Sequence, residues 1–99
     1  MHSELFEFAY AEAAEQYTVA QNALFSALAG KFPNADFDTV YRAGSRAMEL
    51  YHSSEGIATK VHARTLPYEK ALAALTEQYP EFPADVVAKA LSNAFVRAR

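Results

Sequence analysis

Apolar and polar positions along the first third of the chain repeat with the period of a helix. Phe6, Tyr10, Ala13, Tyr17, Ala20, Leu24 and Ala27 step four and three residues apart, a heptad seam. Glu4, Glu15, Thr18, Asn22 and Ser26 occupy the opposite face. Ser3 suits an N-cap, Glu4 and Glu7 suit the positive end of a helix dipole, and Gly30 followed by Pro33 ends the pattern. The pattern predicts one helix over Leu5 to Ala29, close to 40 Å at about 1.5 Å per residue. Phe8 and Val19 project onto its polar side and Phe25 onto its flank. Apolar residues off the main seam imply a second buried contact.

A second helical pattern follows Asn34 and Asp36, either of which can cap it. It runs from Phe37 towards Arg64 and stops before Leu66-Pro67. Its inward line is Val40, Gly44, Ala47, Tyr51, Ser54, Ala58 and Val61. Ser53-Ser54-Glu55-Gly56 is its weak point, because Gly costs about 1 kcal/mol against Ala inside a helix. A break and a continuous helix over 37–65 are both open at this point. A third segment follows Pro67 with Tyr68, Leu72, Leu75 and Tyr79 on one face, and Pro80 ends it. A fourth starts near Pro83 and carries Val87, Leu91, Ala94 and Ala98, with Phe95 beside them. No segment alternates as a half-buried strand does.

These elements predict an all-α fold in one domain, 1–99: a long antiparallel helical hairpin over about 4–65, then a short helical hairpin over about 67–98, four to five helices in all. Two short helices cannot cover two long ones. A two-fold homodimer that completes a four-helix layer is therefore expected.

Composition sharpens this picture by exclusion. The chain is 52% hydrophobic with three glycines and four prolines, which fits a helical globule and not a disordered tail. It has no cysteine, so disulfides, thiolate catalysis and Cys-ligated zinc or iron–sulfur sites are excluded. The start, Met-His-Ser-Glu-Leu-Phe-Glu, has acids where a signal peptide has bases, and no run is long and apolar enough to span a bilayer. A cytoplasmic location and no membrane partner are expected. The net charge of −3 is uneven: residues 1–38 carry six acids against Lys31 alone, and residues 39–99 carry eight bases against six acids.

Candidate chemistry is sparse. His52, Glu55, Thr59 and His62 share a stripe if the second helix is continuous, and Glu49-x-x-His52 has the spacing of the Glu-x-x-His element of di-iron bundles. Glu49, His52, Glu55 and His62 are thus the candidate metal ligands of a carboxylate/His bundle. Against that, Glu49 faces outward, and His62 lies about 10 Å along the axis from Glu55, too far to share an ion. No metal and no cofactor is expected. The two helices within 67–99, joined by Tyr79-Pro80-Glu81-Phe82-Pro83, have the outline of a helix-turn-helix. The second carries few bases for phosphates, which makes DNA binding a subordinate reading. Arg42, Arg46, Lys60 and Arg64, with Glu49 among them, lie on the outer face of the second segment, which reads first as a solvated face and second as a contact for an acidic partner or for the acidic face of the first segment in another copy. The six tyrosines fall on or beside inward stripes, as core residues with hydroxyls at the boundary do. There is no nucleophile elbow and no phosphate loop.

Pro67-Tyr68-Glu69-Lys70-Ala71-Leu72, with Tyr79-Pro80-Glu81 after it, resembles short helical segments of bacteriophage morphogenesis proteins. The resemblance implies a phage or mobile-element origin, where small inhibitors or adaptors often act by binding a host protein. It carries over no activity and no residue role. The expected function is non-catalytic protein binding. The expected partners are a second copy and an unidentified protein, and the expected contact residues are Phe8, Val19, Phe25, Arg42 and Arg46.

Overall fold

The computed structural model describes residues 3–15 and 21–97. Among them the chain is all-α, with α1 Ser3–Glu15, α2 Gln21–Lys31, α3 Phe37–His62, α4 Tyr68–Gln78 and α5 Ala84–Arg97. Helix α3 is the axis of the molecule, and each of the other four packs against it.

The ends of α3 explain its length. Asp36 caps it, its carboxylate accepting from the Thr39 amide at 2.7 Å. Asp38 lies in the first turn and Lys60 in the last, both with the sign the dipole favours. Gly56 does not interrupt the helix, which is continuous over Phe37–His62. At the far end Arg64 takes a left-handed φ of 61°. Its amide donates to Val61 O and the Thr65 amide donates to Lys60 O, both at 3.0 Å, which closes a Schellman motif.

The first long helix expected from the sequence is corrected: it is two helices, α1 and α2. They lie side by side, with the Phe8 and Phe32 rings 5.7 Å apart and Lys31 Nζ 5.8 Å from the Phe8 ring centre. In one straight helix residues 8 and 31 would stand about 35 Å apart. Folding back lets two short helices present two apolar faces to the rest of the fold, where a single rod presents one stripe. Seam residues Tyr17 and Ala20 lie outside the described residues, as does Val19.

The core is built largely from small residues, so helices approach closely. Ala43, Ala47 and Ala58 of α3, Ala9 of α1, Ala71 of α4 and Ala90 and Ala94 of α5 are fully buried. Larger side chains fill the layer between them: Leu28, Leu50, Leu75, Val87 and Leu91. Phe6 of α1 meets Phe82 of the α4–α5 connection edge to face at 5.1 Å. The Cα envelope measures 44 × 27 × 16 Å, so the molecule is about two helices thick.

Candidate functional site

Most large apolar side chains among the described residues are covered by the chain itself. Phe37, Tyr41, Tyr68 and Val96 are not. Two of these four stand together. Phe37 and Tyr41 are one turn apart at the start of α3 and are 77% and 55% exposed. Their rings stack at 6.0 Å, and Phe25 of α2 also stacks on Tyr41, at 5.4 Å and 7°. The result is a ladder of three rings across α2 and α3. It depends on Gly44, because a Cβ there would overlap the Phe25 ring. The small residue lets Phe25 lie flat on α3 and reach Tyr41.

An open groove of about 500 Å³ continues from the ladder along α3. Phe25, Tyr41, Ser45, Met48, Glu49, His52, Ser53, Gln78 and Tyr79 line it. Its far wall is held by a polar staple. Arg46 donates from Nε to Glu81 Oε2 at 2.8 Å, and from Nη2 to Glu81 Oε1 at 3.1 Å and to Gln78 O at 2.7 Å. The guanidinium also lies 4.5 Å from the Tyr79 ring centre, and Tyr79 Oη and Ser53 Oγ share a hydrogen bond of 2.6 Å. Arg42 Nη2 adds a looser approach to Glu81 at 3.5 Å. Burial opposes ionisation of Glu81. The Arg46 hydrogen bond and the charges of Arg46 and Arg42 outweigh it and hold the carboxyl below its ordinary value. The same hydrogen bond raises Arg46. The staple fixes the α4–α5 connection to the middle of α3.

The residues singled out from the sequence fall in different places. Phe25 is one ring of the ladder, and Arg42, next to Tyr41 in the chain, has a side chain 69% exposed. Arg46 is engaged within the chain by Glu81. Phe8 is half-buried against Phe32 and Lys31. Val19 lies outside the described residues. The reason for invoking a dimer, greasy flanks on a long rod, is therefore met in part by the fold-back of α1 on α2.

The metal candidates are dispersed. Glu49 approaches Arg46 at 3.6 Å, Glu55 approaches Arg97 at 3.9 Å, and His52 packs edge-on to Tyr51. His62 stacks on Phe95 at 4.1 Å, with Nε2 2.8 Å from Phe95 O. Among the described residues no three His, Asp or Glu side chains are placed to hold an ion. In α5 the apolar face is buried, and Arg97 lies over Tyr51 at 4.3 Å, which leaves a sparse basic face. Of the six tyrosines expected in the core, Tyr10, Tyr51 and Tyr79 are buried, Tyr41 and Tyr68 are exposed and Tyr17 lies outside the described residues; burial raises the Tyr10 hydroxyl. No helix among the described residues is long and apolar enough to cross a membrane.

Three residues of the site were missed or misread in the sequence pattern, and Tyr41, expected in the core, is exposed. Phe37 sits just past the N-cap and off the inward line, where a lone aromatic is easily dismissed. Glu81 stands between two prolines, in a connection with no periodicity to assign it a face. Compared with known proteins, the chain matches no family model, no curated protein and no solved structure.

Proposed function

We propose that this protein works without catalysis, by binding another protein surface, and that the Phe25–Tyr41–Phe37 ladder is its docking surface. The observation that supports the reading is the exposure of Phe37 and Tyr41 beside an otherwise covered core. Stacked rings bring large contact area with little side-chain entropy to lose, which is why aromatics dominate binding hot spots. Arg42 stands next to them, and Arg is the other side chain enriched at such centres. Of the five contact residues expected from the sequence, Phe25 and Arg42 belong to this surface.

The test compares wild type with the double variant Phe37→Asp/Tyr41→Asp, each immobilised and exposed to extract of the source cells under one salt condition. Retention of a defined protein by wild type and its loss with the variant, at unchanged helicity, is the expected result. Equal retention by both would sink the assignment of the ladder.

A further inference from the structure

We infer that the ladder is self-complementary and pairs with the ladder of a second copy of this chain across a two-fold axis. The inference rests on the docking surface just proposed and names its occupant. The first turns of α3 read Phe37-Asp38-Thr39-Val40-Tyr41-Arg42. Val40 is buried, whereas Phe37, Asp38, Tyr41 and Arg42 are all exposed. The exposed face is thus an aromatic with an acid, and one turn later an aromatic with a base.

A two-fold axis passing near residue 40 lays the second α3 antiparallel to the first, so the same patch serves both copies. Asp38 then faces Arg42 of the second copy, and Arg42 faces its Asp38, while rings meet rings. A parallel arrangement in the same register would set like charges opposite each other. A foreign helix carries no such built-in match, whereas this pattern is its own complement when reversed. The Arg42 guanidinium reaches Glu81 only at 3.5 Å and remains largely exposed, so it can turn to a second chain. The chain already lays Arg46 over Tyr79 and Arg97 over Tyr51, and Arg42 over a ring of the second copy would repeat that contact. Three rings from each copy and two ion pairs form less than a standard interface of about 1,600 Å², so the dimer is reversible and micromolar, not nanomolar.

Sedimentation equilibrium of the full chain at low salt tests this. Wild type is expected to rise with concentration from 10.9 kDa towards twice that mass. Asp38→Arg and Arg42→Asp, each alone, place like charges opposite each other and should weaken association about tenfold or more. Asp38→Asn removes one charge without repulsion and should weaken it less. The double variant Asp38→Arg/Arg42→Asp restores the match and should recover association. Far-UV dichroism and melting of each variant separate loss of pairing from loss of fold.

A wild type that stays monomeric overturns self-pairing, while the docking surface itself is decided by the Phe37→Asp/Tyr41→Asp capture. A double variant no better than either single one overturns the two-fold geometry, even where Phe37→Asp abolishes association.

Discussion

Gly44 and Gly56 sit in the same helix under opposite demands. Gly44 is buried beneath Phe25, and an added methyl there would have to displace the ring. Gly56 is exposed, with nothing within 4 Å of an added Cβ. Gly56→Ala should therefore raise stability by about 1 kcal/mol through helix propensity alone. Gly44→Ala gains the same propensity but overpacks the site, and a net loss of about 1 kcal/mol is expected. Denaturant unfolding should show the two substitutions moving the midpoint in opposite directions. A similar argument applies to Arg64. A left-handed conformation costs a residue with a Cβ about 1–2 kcal/mol, and the position closes a Schellman motif that Gly fills without that cost. Arg64→Gly should raise the thermal midpoint, and a lower one would mean that the Arg64 side chain makes a stabilising contact worth more than the strain.

At the scale of elements, the Arg46–Glu81 staple ties the α4–α5 connection to α3. Glu81 is only 16% exposed, so solvent screens the pair little. Hydrogen bonds to charged groups contribute about 1.5–3 kcal/mol, and Glu81→Gln should lower stability at neutral pH by about that amount. The folded carboxyl titrates below its ordinary value of 4.5. Its contribution is therefore complete above the unfolded value and is lost as pH falls through the folded one. Thermal melts of wild type and Glu81→Gln should differ at pH 7 and converge in acid. A difference that persists in acid would show that the carboxylate charge is not what Arg46 holds.

Element boundaries show how far the sequence reading reaches. Asp36 as a cap and Pro67, Pro80 and Pro83 as breaks are local chemistry, and the observed bounds of α3, α4 and α5 follow them. The division of α1 from α2 has no such marker, since the seam Phe6, Tyr10, Ala13, Tyr17, Ala20, Leu24, Ala27 continues through it. What favours it is the gain from laying Phe8 against Phe32, partners distant along the chain that one straight helix would hold apart. Helix periodicity reports which residues share a face but not how far a face extends before it turns back.

For the molecule as a whole, a thin two-layer arrangement of five described helices covers its own core and leaves the α2–α3 ladder in solvent. That leaves Phe37 and Tyr41 side by side in solvent, open to another surface. Phe37→Asp/Tyr41→Asp should keep native helicity with a stability change within about 1 kcal/mol, as exposed substitutions do. Cooperative unfolding at a much lower denaturant midpoint would instead place the ladder in the core of the fold.

The amino-acid sequence alone determined the all-α class, the proline-set ends of the later helices and the capped start of α3, because caps, prolines and 3.6-residue periodicity act within a few residues. It also placed Phe25 and Arg42 off the inward line, since an aromatic or a base there is visible in the pattern. Only the tertiary structure decided that α1 and α2 fold back, that Arg46 belongs to Glu81, and that Phe37 joins Tyr41 and Phe25. Each of these pairs residues far apart in the chain or sets which face stays uncovered, and that depends on which helices meet, a property of the packed whole.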